Sequence, residues 1–287
     1  IAQTRTILDY KFASGMAEGS TSSLGYARAL SDTLVLLVPS ALGVVIYPYF
    51  SDMGAEGNRQ KLTETFMGSL RLIVFLFIPL SILMMVLRVP LIQVLFQRGR
   101  FDMESVMLTA GPMFYYSMGL AVFAAEIIIM RFYYSAKNTL VPAVVGVICV
   151  AIHICVVLAF KEIMQNSSLA VAATVSKTVK VAVLFLLVGG MISSFQVKTN
   201  SVFAGKTFVS ALLMALATYF TFKAVSSALT VPSDAGKILA LVYPCVQMAV
   251  AVAAGLAAYA LSAFMLKTEE LKICLSFFKR RKAAPEL

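Results

Sequence analysis

The chain has 287 residues, of which 60% are hydrophobic and 13% charged, whereas a soluble domain is about half apolar and a quarter charged. That composition excludes a water-soluble globule and a disordered chain. With bilayer spans of about 20 residues, the length holds roughly seven or eight of them. The 24 Lys and Arg outnumber the 14 Asp and Glu, for a net charge of +10. The basic residues lie mostly between apolar runs or at the C-terminus, so they read as topology signals and anionic-lipid contacts rather than as a nucleic-acid surface. Cys149, Cys155, Cys245 and Cys274 show no CxxC spacing and read as small packing residues.

In chain order, residues 1–13 carry Arg5, Asp9 and Lys11 among apolar neighbours. That density of charge suits the wall of a polar cavity or a juxtamembrane helix end, not a lipid-facing helix. The stretch reads as the end of a helix whose start lies upstream, and a C-terminal piece of a longer protein is expected. A Gly/Ser-rich turn follows at Ser14–Ser23. Spans are expected at about 26–50, 67–87, 106–130, 141–160, 168–192, 203–225 and 238–266. Pro39 and Pro48 in the first and Pro79 in the second favour kinks. A polar loop, Ser51–Thr65, joins these two. Pro90–Phe96 is too short to cross and reads as an interfacial helix. Arg131, Tyr133 and Tyr134 look like an interface anchor closing the third span. Residues 267–287 alternate apolar and basic side chains, as an amphipathic helix on anionic headgroups would. The Lys and Arg of alternate loops favour the side of the C-terminal tail, which is therefore expected in the cytoplasm.

Charges within the spans each need a reason, because burying one in lipid costs about 2.5–3.5 kcal/mol on insertion scales. Arg28 and Asp32 stand i,i+4 on one helix face and pair readily; they line a cavity or snorkel from the outer end. Lys177 and Lys180 stand i,i+3, with Lys180 at mid-span. Two like charges on one face mark a hydrated groove or an anion site, or else a pair neutralised by packing. Glu126 either pairs loosely with Arg131 or faces a cavity. His153, the only histidine, is an interhelical hydrogen-bond partner or a proton or ion carrier. The sequence has no GxSxG, HExxH, Walker A or Cys/His cluster, so neither an enzyme nor a metal site is expected. Kinked spans with internal charges favour a transporter.

Several stretches resemble the MurJ/MviN lipid II flippases. LFQRGRFDMESVMLTAGPMFYYSMGL, residues 95–120, resembles that family's loop-and-helix signature, with Arg98, Gly99, Phe101 and Asp102 in its LF-x-RG-x-FD. Arg131, Tyr133, Tyr134, Asn138, Thr139 and Pro142 resemble its R-x-FY, D-T and final proline. LDYKFASGMAEGSTSSLGYA, residues 8–27, resembles D-x-x-x-AS followed by G-S-x-S-x-L-x-YA. Pro48 and Ser51 resemble the P-x-x-S that closes the next helix. The chain departs from the pattern at Arg28, which directly follows Tyr26-Ala27 where the family has one residue between, and at Asn138, which replaces an aspartate.

The resemblance implies a fourteen-helix protein of the MOP exporter superfamily, of which this chain is the last eight helices with the first truncated. It implies flipping of lipid II from the cytoplasmic to the outer leaflet of a bacterial inner membrane, by alternating access between two lobes. The expected fold is an all-α polytopic membrane bundle. Residues 1–192 would form a transport lobe, 193–266 two extra spans making a lipid-facing groove, and 267–287 a basic tail. Headgroup contact is expected from Arg5, Arg28, Lys177 and Lys180, and charge balance or ion coupling from Asp9, Asp32, Glu126 and His153. Expected partners are lipid II or a similar anionic polyprenyl-linked precursor, anionic membrane lipids and the absent N-terminal lobe. No cofactor is expected; a coupling monovalent cation or the membrane potential would supply the energy. The alternatives are a polysaccharide-lipid or drug exporter of the same superfamily, or a non-transporting scaffold.

Overall fold

A computed structural model describes residues 2–16, 18–195, 197–229, 237–268 and 270–271, and only the backbone of 2–5, 197–198 and 237–241. Every regular element among the described residues is helical: α1 (Ala2–Ala13), α2 (Ser20–Ala55), α3 (Arg59–Val86), α4 (Arg88–Phe96), α5 (Met103–Ser135), α6 (Leu140–Met164), α7 (Ser167–Val188), α8 (Val197–Ala228) and α9 (Lys237–Met265). Seven of these are long and apolar enough to cross a membrane, and they coincide with the seven spans expected from the sequence. α4 is the short helix expected between the second and third. The tail beyond Leu271, Cys274 included, lies outside the described residues.

Some boundaries differ from the sequence reading, for physical reasons. α2 begins at Ser20, inside the expected Gly/Ser turn, because Gly19 takes the left-handed conformation at φ 83° that glycine adopts freely and so ends the turn early. α2 then runs through Pro39 and Pro48 as one helix of 36 residues. The third span does not end at an anchor of aromatics. Tyr133 is 1% exposed, and its hydroxyl donates to the Leu184 carbonyl at 2.9 Å, so it ties α5 to α7. Tyr134, one residue on, is 38% exposed.

The chain divides into two compact units, residues 1–73 with 87–195, and residues 74–86 with 196–287. In the first, α5 packs against both α2 and α7, and α6 packs on α7. Its rings Phe50, Phe66 and Phe132 stack at centroid distances of 4.5 to 6.2 Å. Gly111 and Gly119 stand eight residues apart on α5. A methyl on Gly111 would lie 2.6 Å from the Ser167 hydroxyl, and one on Gly119 2.6 Å from the Phe123 ring and 2.9 Å from the Thr174 hydroxyl. Glycine at both positions thus lets α7 lie close, and Thr174 donates across to the Tyr115 carbonyl at 2.8 Å. Asn166, buried before α7, reaches the Ser23 hydroxyl at 3.0 Å and the Leu108 carbonyl at 3.1 Å, joining α2, α5 and the α6–α7 turn. In the second unit, Phe75 packs with Phe203, Ala211, Met214, Tyr259 and Ala263. Tyr259 donates to the Phe75 carbonyl at 2.8 Å, and Gly255 lies against Thr218.

Candidate functional site: a charged cavity at membrane depth

Two groups of charged side chains lie on the helices of the first unit. The first joins α1, α2 and α6. Asp9 and His153 are 1% and 0% exposed, and His153 Nε2 lies 2.7 Å from Asp9 Oδ1. The other carboxylate oxygen, Oδ2, sits 3.5 Å from Arg28 Nη1. Arg28 also reaches Asp32 Oδ2 at 3.3 Å through Nε and donates to the Thr6 hydroxyl at 2.9 Å through Nη2. The i,i+4 pair read from the sequence is therefore present, but it is one limb of a larger arrangement. Thr6 went unnoticed in the sequence although it stands one helical turn before Asp9.

The second group joins α5 and α7. Lys180 Nζ donates to Glu126 Oε1 at 2.7 Å, and Lys177 Nζ lies 3.5 Å from Oε2 of the same carboxylate. Lys177 also stands 4.2 Å over the Phe123 ring, a cation–π contact between residues of two helices. Of the two expectations for Glu126, facing a cavity is the arrangement seen, and pairing with Arg131 is not. Five residues is about 500° around a helix, which puts the two side chains some 140° apart, and Arg131 packs instead against Gly43. Of the two readings of the lysine pair, neutralisation is partial: one carboxylate serves two ammonium groups.

A cavity of about 880 Å³ opens between these groups, within the range of about 300–1,000 Å³ of ligand pockets. Arg28 and Asp32 line it from α2, Phe123 and Glu126 from α5, Pro142 and Cys149 from α6, and Lys177 and Lys180 from α7. The motif residues Tyr134 and Thr139 also line it. Asp9 and His153 stand behind that wall. The structure thus brings together Arg28, Lys177, Lys180, Asp32 and Glu126 around one volume, with Asp9 and His153 behind them. The Arg5 side chain lies outside the described residues.

The remaining motif residues sit elsewhere. Arg98 and Phe101 line a second pocket of about 670 Å³ with Arg100, Tyr26, Phe96 and the start of α2. The Tyr26 ring lies 4.7 Å from Phe96 and 5.4 Å from Phe101, which pins the RGRFD loop to α2. Gly99 provides its left-handed turn at φ 60°. Asp102 caps α5, accepting from the Ser105 N–H at 2.9 Å and from its hydroxyl at 2.9 Å. Those hydrogen bonds, the backbone one foremost, hold its carboxyl below the usual carboxylate range. Asn138 accepts from the Val141 N–H at 3.3 Å, at the start of α6.

A family model described as "Lipid II flippase MurJ" matches residues 1–239. The chain belongs to this family. Among curated relatives, the probable lipid II flippase MurJ of Bdellovibrio bacteriovorus is 32% identical over 154 residues, covering 54% of this chain and 29% of that protein. The probable lipid II flippase MurJ of Buchnera aphidicola subsp. Baizongia pistaciae is 26% identical over 248 residues, covering 85% and 48%. The chain therefore spans less than half the length of these relatives. A solved structure titled "Lipid II flippase MurJ, inward closed conformation" aligns with a TM-score of 0.72 at 19% identity, over 93% of this chain and 52% of that one. It shares the fold, that of a polytopic helical membrane protein, and the family places this chain among multi-pass membrane proteins.

Proposed function

We propose that the chain supplies one lobe of a lipid II flippase of the bacterial inner membrane, and that its cavity holds the anionic headgroup during transfer to the outer leaflet. The observation that carries this reading is the cavity's charge arrangement in a chain of this family. Arg28, Lys177 and Lys180 face one volume, and among the described residues only the carboxylates of Asp32 and Glu126 face it in opposition. A pyrophosphate presents paired anionic oxygens, which guanidinium and ammonium groups bind by charge-assisted hydrogen bonds. The second lobe of the full-length protein would close the cavity. Residues 1–192 would form the transport lobe and 193–266 a groove for the lipid tail, with the C-terminus in the cytoplasm. Transport is then conformational and not a chemical reaction.

The test is complementation by the full-length parent gene in cells depleted of their own lipid II flippase. Wild type is compared with Lys177→Gln and Arg28→Gln, with membrane levels measured by blot. Rescue by wild type and its loss in a variant present at normal level is the expected result. A wild type present at normal level that does not rescue, in a host shown to accept a related flippase, would overturn the lipid II reading.

A further inference from the structure

Headgroup contact in the cavity leaves the second pocket, of about 670 Å³, without a use. Its lining is charged in one sense only. Arg98 and Arg100 of the RGRFD loop contribute guanidinium groups, and Ser22, Ser23, Ser105 and Thr109 contribute hydroxyls. Among the described residues no carboxylate lines it, whereas Asp32 and Glu126 oppose the cations of the cavity. Asp102, next to the loop, uses Oδ1 to cap α5. Neither arginine has an ion-pair partner among the described residues. Arg98 gives one N–H to the Leu95 carbonyl at 2.9 Å, out of the five that a guanidinium carries. The loop itself is held. Tyr26, Phe96 and Phe101 pack ring against ring at 4.7 to 6.0 Å, and Gly99 turns the backbone between the two arginines. Two like charges thus share one concavity with no counter-charge, an arrangement that an anion relieves. With the C-terminus in the cytoplasm, as proposed above, the loop faces outward. That is the side whose short loops are poor in Lys and Arg, so membrane topology does not account for the pair.

We infer that this pocket is a second anion site, which holds the phosphate of a membrane lipid between Arg98 and Arg100. Guanidinium forks match phosphate oxygens in pairs, and the hydroxyls of α2 and α5 supply further polar contacts. The first turn of α2, entered through Gly19 and capped by no side chain, forms one wall and adds partial positive charge. The position suits a lipid better than a free ion. The pocket lies where α2 and α5 begin, at the ends of two candidate spans, which is the depth of headgroups. Leu95 on α4 and Met103 and Met107 on α5 are exposed apolar side chains of the same segments, suited to contact with the lipid's tail. The site is separate from the cavity although α2 serves both. Tyr26 lines the pocket and Arg28 the cavity, about 200° apart around the helix.

Only the outward orientation of the loop rests on the proposed function; the phosphate site does not, and the experiment separates them. Full-length parent protein is purified in a maltoside detergent, which carries no phosphate. Amide hydrogen exchange across residues 97–106 is followed by mass spectrometry during titration with phosphatidylglycerol, with lipid II, or with diacylglycerol as the phosphate-free control. Exchange is expected to slow with a phosphate-bearing lipid and not with diacylglycerol. Slowing by phosphatidylglycerol identifies a bulk membrane lipid as ligand, and slowing by lipid II alone identifies the headgroup that the flippase carries. Arg98→Gln/Arg100→Gln is expected to raise the titration midpoint about 10- to 100-fold, the scale of one or two lost charged hydrogen bonds. Arg100→Gln alone is expected to raise it about 10-fold. That single variant leaves the Arg98 bond to Leu95 in place, and unchanged exchange in α5 and α7 shows that it is folded. No slowing by either phosphate lipid, equal slowing by diacylglycerol, or an unchanged midpoint in Arg100→Gln and in the double variant overturns the site. Failure of wild type to rescue flippase-depleted cells removes the transport reading, and the exchange titration still decides this pocket.

Discussion

Asp9, Arg28 and Asp32 carry one net negative charge when His153 is neutral, whereas Glu126, Lys177 and Lys180 carry one net positive charge. The two groups are also placed differently. The first has its central carboxylate sealed between three helices at 1% exposure, with Arg28 alone bridging it to the cavity. The second lines the cavity throughout, with side chains 16 to 23% exposed. The same residue types thus serve two purposes. The first group ties α1, α2 and α6 together through the buried Asp9, with Arg28 and Asp32 at the cavity wall. The second group sets two ammonium groups against one carboxylate at the cavity wall. Burial sets the energetic weight of each, because breaking a buried ion pair leaves an uncompensated charge whereas an exposed pair is worth little.

The sharpest way to break the comparison is Asp9→Ala. It strips the sealed group of its central carboxylate, and a loss of about 3–5 kcal/mol in stability is expected, read as a lowered midpoint of thermal unfolding in detergent. If this variant is no less stable than Glu126→Gln, the distinction between sealed and open groups fails. Glu126→Gln comes next, at about 2–3 kcal/mol, because partial exposure lets water screen the two stranded lysines. Adding Lys180→Gln to it restores one net positive charge and should recover most of that loss; an additive loss instead would mean that the lysines do not depend on the carboxylate. Lys177→Gln leaves the short Lys180–Glu126 bond in place and cancels the open group's charge. Stability should change little, and anion affinity should fall about 10- to 100-fold, from the loss of about 1.5–3 kcal/mol of charged hydrogen bonding. Binding of a soluble pyrophosphate headgroup analogue, followed by calorimetry, measures it.

Two smaller tests probe what holds the open group in position. Tyr133→Phe removes the hydroxyl that ties α5 to α7 and should cost about 1 kcal/mol, seen in the same thermal assay. Asp102 concerns pH. Its carboxyl is held low by the bonds that cap α5, so its contribution is present above the ordinary aspartate range and is lost as pH falls through the lowered value. Asp102→Asn should remove that acid-side dependence from the unfolding midpoint and lower the neutral-pH midpoint slightly, toward the value that wild type shows in acid.

Much of the fold was legible because its signals are local. Apolar runs of fixed length mark the seven spans, and the short run at 90–96 marks α4. The Arg28–Asp32 pair was equally legible, since i,i+4 spacing is a property of one helix. The site was legible only in its membership. Lys180 meets Glu126 across 54 positions, and His153 meets Asp9 across 144. No helical period connects such residues; helix packing does. Tyr133 shows the same limit in reverse. Beside Tyr134 in sequence it looked like part of an interface belt, but adjacent residues lie about 100° apart on a helix, so one faces α7 and the other the cavity. The joining of residues 74–86 with 196–287 likewise left no mark in the sequence, since α3 has no break where its two halves part company.

Gly119 has an electrostatic consequence that its chemistry alone does not suggest. It lies about two turns from Glu126 along α5, and it has no side chain to titrate or donate. Yet the missing methyl lets α7 lie close, and that closeness helps bring the Lys180 ammonium to 2.7 Å from a carboxylate on the neighbouring helix. A single added carbon at this position would work like a dial on the lysines. It would meet the Phe123 ring, over which Lys177 stands, and the Thr174 hydroxyl of α7, and displacing either would shift the lysines against their carboxylate, changing the field in the cavity without changing any charge. In this protein a steric residue sets an electrostatic property, and a screen for altered transport that looked only at charged positions would pass over it.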